Sequence, residues 1–249
     1  MSDKRGTVRI GTSGWNYNHW KGPFYPAKIR AHDMLPFYLE HFRTVEVNNS
    51  FYHLPSREVF EQWRNTAPER FVFSVKASRY ITHMKKLKDP HQGLSRFMKA
   101  AGGLETKLGV VLFQLPPRWS FDEQRLSAFL EALPDEHSYA FEMRDHSWHC
   151  ERAYELLRLH GCSFCIYDLA GFTSPIITTS DTVYVRLHGP DGAYAGSYSP
   201  QALRAWANRF AGWAAEGRNV YCYFDNDQEG YATQDARRIR RFVEGDIET

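Results

Sequence analysis

Nine residues suited to binding or proton transfer fall at the late positions of short apolar runs. Glu46 and Asn48 alternate with Val45 and Val47, and Lys76 follows Val75. Gln114 stands two after Leu112. Glu142 and Arg144 alternate with Phe141 and Met143, Arg186 and His188 with Val185 and Leu187, and Asp225 follows Phe224. Alternate residues of an extended chain share a face, so each run delivers its polar group to one face near its end. Burying charge is costly unless it is paired. The set balances, with Lys76, Arg144 and Arg186 against Glu46, Glu142 and Asp225. One reading is a mutually neutralising network of structural value. The other is a pocket for an anionic or hydroxyl-rich ligand, with carboxylates placed for proton transfer. In that pocket Lys76, Arg144 and Arg186 hold the anion, and Asn48, Gln114 and Asp225 complete the binding set. Glu142 is the first choice of general acid/base and Glu46 the second, with His188 as proton shuttle. Trp15, Trp148 and Tyr52, which follow strands, would stack on a sugar or base ring.

Eight segments must position these groups. Strand-like runs occur at 8–11, 44–48, 71–76, 109–115, 139–144, 163–168, 182–188 and 219–225. Between them lie helix-period stripes: Leu35/Tyr38/Leu39/Phe42, Leu94/Phe97/Met98/Ala101, Leu126/Phe129/Leu130/Leu133, Leu203 through Ala214, and Ala232/Ala236/Ile239/Val243. Weaker helical segments fill 59–63 and 153–157. Strands separated by helices pair in parallel through right-handed crossovers. Eight such units in 249 residues predict an α/β fold, a (β/α)8 barrel of the TIM type with its pocket at the strands' C-terminal ends. The gap from Asp168 to Thr182 carries Gly171, Pro175 and many β-branched residues, so helix six is expected to be missing or reduced to a turn. An open doubly wound sheet is the alternative. No composition shift marks a linker, and one domain over 1–249 is expected.

Composition excludes several classes. With 31 Lys and Arg against 29 Asp and Glu, the chain is neither a basic nucleic-acid arm nor an acidic solvating chain. No apolar run approaches a membrane span, and the opening Met1–Gly6 has no apolar core of a targeting segment; a cytoplasmic protein is expected. Cys162 and Cys165 spell CxxC inside a strand-like run, where residues three apart face opposite ways. They read as small buried hydrophobes rather than a metal or disulfide pair. Phosphate-loop, dinucleotide, zinc-protease and hydrolase-elbow motifs are absent. Asp225–Gly230 opens like a calcium loop, but its twelfth position is Ala236 rather than Glu.

Longer blocks point to a family. Ile10–Trp15 with Trp20, Gly22 and Phe24–Pro26, then Val45–Asn48 with Phe51, Tyr52 and Pro55, resemble the YecE-like family, the domain-of-unknown-function family numbered seventy-two. So do Phe73–Lys76 with Thr82–His83, Gln114–Pro117, Glu142–Arg144 with Ser147–Trp148, Arg186–Gly189, and Tyr223–Asp227 with Ala232 and Ala236. The resemblance covers essentially the whole chain. It implies a TIM-type barrel and no particular reaction. The chain departs from the family pattern at Asp225, where Asn is expected in many relatives, and at Asp145, where His is common.

Three functions compete. The first is an enzyme acting on a small anionic, ring-containing molecule such as a phosphorylated sugar or nucleotide, by carboxylate acid/base chemistry (hydrolysis or isomerisation), with no cofactor. The second is a metal-dependent phosphoesterase or isomerase, its ligands drawn from Glu46, Glu142, His188 and Asp225; three nearby cations oppose it. The third is a non-catalytic barrel that binds nucleic acid or a protein through Arg237, Arg238, Arg240 and Arg241, a stretch that reads more simply as a solvated helix face. No membrane partner is expected.

Overall fold

The computed structural model describes residues 5–245; residues 1–4 of the opening stretch and 246–249 lie outside them. Nine strands and seven α-helices occur among the described residues. They are β1 (Val8–Thr12), α1 (Met34–His41), β2 (Thr44–Val47), α2 (Arg57–Thr66), β3 (Val72–Lys76), α3 (Pro90–Ala101), β4 (Leu108–Leu115) and α4 (Glu123–Glu131). There follow β5 (Ser138–Met143), α5 (Glu151–Leu159), β6 (Ser163–Leu169), β7 (Phe172–Thr173), β8 (Thr182–Leu187), α6 (Pro200–Ala215), β9 (Asn219–Phe224) and α7 (Tyr231–Glu244). All eight expected strands and all seven helical segments are present, each within a few residues of its expected bounds.

The chain divides into two compact units. The first comprises Met1–Val45, Ile166–Ile176 and Val183–Thr249, the second Glu46–Cys165 and Ile177–Thr182. Strand neighbours run β1–β9–β8–β6 in the first and β6–β5–β4–β3–β2 in the second, the dividing points falling inside β2 and β6.

In the second unit β4 and β5 pair in parallel from Val110↔Ser138 to Leu115↔Met143. Val110 through Leu115 are all buried, as parallel strands covered on both faces must be. Phe113 packs between Phe141 and Phe129, its ring centre 5.2 and 5.0 Å from theirs; burying each such ring stabilises the fold by about 1.5–3 kcal/mol. In the first unit β1 pairs with β9 from Val8↔Val220 to Thr12↔Phe224. Gly11 is required there, because a Cβ would lie 2.3 Å from the Thr44 carbonyl oxygen. Helix α6 begins where Ser199 Oγ accepts from the Ala202 amide and Pro200 takes the first turn. Its stripe of Leu203, Trp206, Ala207, Phe210 and Ala214 is buried.

The crossover after the sixth strand has no helix, as the sequence leads one to expect. Ala170 and Gly171, at φ 52° and 81°, turn the chain into β7, which pairs antiparallel with β6 through Asp168↔Thr173 and Leu169↔Phe172. Hydroxyls then do what a ladder would do. Ser174 Oγ accepts from the Tyr167 amide at 2.9 Å, and Thr179 Oγ1 accepts from the Phe164 amide at 2.7 Å. No helix among the described residues is long and apolar enough to cross a membrane.

Candidate functional site

The polar strand ends form one group in each unit. In the second unit, the register that sets Gln114 opposite Glu142 lets the Gln114 amide donate to Glu142 Oε1 at 2.8 Å. Arg144, two residues on and so on the same face, donates Nε to that same oxygen. The β5–β6 register ends at Phe141↔Phe164, which brings the next residue, Cys165, within 3.9 Å of Glu142 Oε2. Glu142 is fully buried. Two strong donors on one oxygen and a thiol beside the other fit a carboxylate acting as acceptor only. Cys165 belongs to this site, a role its strand phase next to Glu142 could have signalled. Its partner in the CxxC spelling is inert: burial pushes the Cys162 thiol up to about 12.

Lys76 closes β3. Asn48 follows β2 and leads into a 3-10 turn, Asn49–Phe51, from which Ser50 Oγ donates to the Lys76 carbonyl at 2.6 Å. The Lys76 ammonium lies 4.4 Å from the centre of the Phe51 ring, and the Phe51 edge meets the His83 ring at 5.0 Å. His83 Nδ1 lies 2.9 Å from Thr82 Oγ1. Burial first, then Lys76, Arg79 and Arg144, hold the His83 imidazole down to about 4. At neutral pH it is uncharged, in a field set by three cations. The Oδ1 atom of Asn48 is buried with no hydrogen-bond partner among the described residues. Glu46 is fully buried in β2.

In the first unit Arg186, His188 and Asp225 are brought together with Ser13. Arg186 Nη2 donates to Asp225 Oδ2 at 2.9 Å and to Ser13 Oγ at 3.3 Å. His188 Nδ1 lies 3.0 Å from the same Asp225 oxygen, and its Nε2 lies 3.3 Å from Arg186 Nη1. A guanidinium can only donate. Nε2 must therefore accept, and the proton resides on Nδ1, donated to Asp225. His188, expected as a proton shuttle, is thus held between Asp225 and Arg186. Its outer nitrogen lies beside Arg186 Nη1, and Arg186 Nη2 reaches Ser13.

Around this group Tyr198 donates to Asp168 Oδ1 at 2.9 Å and accepts from the Gly189 amide. The fully buried Asp235 accepts from Asn226 Nδ2, Ser197 and the Tyr198 amide. Sequence reasoning missed Asp235, an acid placed inside a helix where acids are ordinarily solvated. Asp227 is raised above the usual carboxylate range by burial and by the neighbouring Asp225.

The loop tryptophans differ from expectation. Trp148 is fully enclosed, packs on Trp119 with ring centres 4.8 Å apart, and donates Nε1 to the Trp119 carbonyl. Trp15 is buried, and its carbonyl accepts from Tyr25. Both hold loop structure. Of the three residues expected to stack, only Tyr52 presents an open ring, 66% exposed. Among the described residues no group of three or more His, Cys, Asp or Glu is placed to hold a metal ion.

Strands, crossovers and polar strand ends define a parallel α/β barrel of the TIM type. Comparison with known proteins bears this out. A crystal structure of a DUF72 family protein (TM1631) from Thermotoga maritima MSB8 is similar with a TM-score of 0.87 and 30% identity, over 96% of this chain and 99% of that one. The family described as "Protein of unknown function DUF72" matches residues 9–248, and the chain belongs to it. It is 25% identical to the UPF0759 protein YunF of Bacillus subtilis (strain 168), over 95% of each chain. It is 30% identical to the UPF0759 protein YecE of Escherichia coli (strain K12), over 55% of this chain and 48% of that protein.

Proposed function

We propose that the second unit binds a small anionic, ring-containing ligand of the phosphorylated-sugar or nucleotide class at the C-terminal ends of β2 to β5. The observation that carries this is the grouping of Lys76, Arg79 and Arg144 near His83, whose pKa is lowered first by burial and then by those three cations; such a cluster of positive charge attracts an anion. Lys76 and Arg144 take the charge. Asn48, with its orphaned acceptor atom, and Gln114 orient ring hydroxyls. Glu142, held by Gln114 and Arg144, is the acid/base carboxylate. An incoming anion draws Arg144 from Oε1, which removes the charged donor from the carboxylate and raises its affinity for a proton, as hydrolysis or isomerisation needs. In the first unit Arg186 and His188 position Asp225 rather than bind ligand.

A thermal-shift series with inorganic phosphate, glucose 6-phosphate and AMP tests this reading. Stabilisation by one of the phosphorylated compounds, absent in Lys76→Met, is expected. Equal stabilisation of wild type and Lys76→Met by every anion would overturn it.

A further inference from the structure

A groove of about 420 Å³ lies in the second unit, lined by Tyr52, His53, Ser78, Tyr80, Gln92 and Arg96 among others. Its setting is unusual in charge. Between Lys76 and Ala101 there are seven Lys and Arg against one Asp, in a chain holding 31 and 29 overall, so the remainder is net negative. Two tyrosines stand on its walls with open rings, Tyr52 at 66% and Tyr80 at 42% exposure. The Lys85 ammonium lies 6.0 Å from the Tyr80 ring centre, and Arg79 precedes that ring in the chain. The backbone carrying them is not relaxed. Tyr80–Met84 form a single π-turn, a device concentrated at functional sites. Lys86, Leu87 and Asp89 follow at φ 47°, 64° and 49°. Such left-handed positions cost energy in non-glycine residues and persist only where their surroundings hold them. Leu87 is buried and does so, leaving Lys88 exposed and Lys86 half-exposed.

Cations in a row select a polyanion. Open aromatic rings between them select one with exposed flat faces. A concave wall fits a strand better than a bilayer surface. We propose that this groove binds single-stranded nucleic acid, bases stacking on Tyr52 and Tyr80 and phosphates held by Arg96 of its wall, with Arg79 and Lys85, which also pairs with Asp89 at 3.5 Å, flanking Tyr80. The groove adjoins the Lys76 group, since the Tyr52 ring meets the Phe51 ring at 5.0 Å, but the inference does not rest on that reading.

Fluorescence anisotropy with a labelled twelve-residue oligo-dT, as a function of salt, tests it on the full chain. Binding is expected with a log–log salt slope of about −2, the value for roughly three phosphate contacts on a single strand. Tyr52→Ala/Tyr80→Ala is expected to weaken it at least about fivefold, from the loss of base stacking, and Arg96→Glu to weaken it and flatten the slope. Both tyrosines are surface residues, and an unchanged melting temperature checks that the fold is intact. Duplex DNA of the same length and inorganic polyphosphate serve as comparisons. Equal affinity for either, insensitivity to the tyrosine pair, or capture by anionic phosphatidylserine vesicles in place of oligo-dT overturns the proposal. The Lys76→Met thermal-shift result is independent of all these outcomes.

Discussion

Replacing Lys76 by Met removes one charge while keeping an unbranched stem against Phe51, and His83 reads the change. The ammonium is 4.4 Å from the Phe51 ring centre, which is 5.0 Å from the His83 ring centre. The charge therefore lies no further than about 9.4 Å from the imidazole, where Coulomb's law gives about 0.4 kcal/mol at the dielectric of water and about 1.8 kcal/mol at an effective dielectric of about 20. These energies correspond to shifts of about 0.3 and about 1.3 pH units. Lys76 is buried and His83 half-buried, which places the expected rise of the His83 pKa between the two figures. The assay is an NMR titration of the histidine Hε1 resonances from pH 3 to 8 (about 5 units of range around the ordinary value), the His83 signal being assigned by its loss in His83→Gln. Arg79→Gln, removing an exposed charge, is expected to move it less. A His83 pKa that stays put or falls in Lys76→Met refutes the field on which the proposed function rests. The sign of the linkage follows. The folded value, about 4, lies below the ordinary 6.5, so the unfolded chain holds more protons in that window. This group's contribution rises with pH through the window, and the deficit is fully present below it.

Further outcomes are open to simple measurement. Asp225→Asn leaves the buried Arg186 without its 2.9 Å carboxylate partner and should cost about 3 kcal/mol in urea unfolding; a loss below about 1 kcal/mol contradicts the pairing. Glu142→Gln should cost more than Gln114→Met, because it strands the Arg144 guanidinium while the second change removes a neutral donor; reversed order in the unfolding midpoints counts against the arrangement. Asp227 is raised in the fold by burial and by Asp225, so the native state loses stability as pH rises past the ordinary carboxylate range; Asp227→Asn should raise the melting temperature at pH 7 and not at pH 3. Cys162, Cys165 and Cys222 are buried and Cys150 only partly exposed. Ellman's reagent should therefore modify no more than one of the four thiols at pH 8 in the native protein, and all of them in denaturant.

The elements were legible because their signals are local. Fully apolar runs such as Val110–Leu115 and stripes such as Leu203–Ala214 carry their own period, and the Gly–Pro-rich gap after Asp168 announced its missing helix. The late polar residue on each strand was legible for the same reason. Partner choice was not, because it depends on register. That Gln114 reaches Glu142 on the next strand, or that Asp225 meets both Arg186 and His188, follows from which strand ends are neighbours and how far each extends. The loop tryptophans misled because an aromatic residue in a loop has the same spelling whether it covers a ligand or its own backbone. Nothing in the spelling of Tyr80–Met84 announced a widened turn, and the groove it borders went unseen with it.

The helix-free sixth crossover has a practical corollary. Two hydroxyls, of Ser174 and Thr179, tie the returning chain to β6, and the hairpin tip at Gly171 faces open space, with no atom near where a side chain would begin. A chain pinned at discrete points rather than along a packed stripe tolerates lengthening between the pins. Grafted peptides, affinity handles or new termini made by circular permutation belong at this tip, where they leave every other strand-to-strand passage as evolution wrote it.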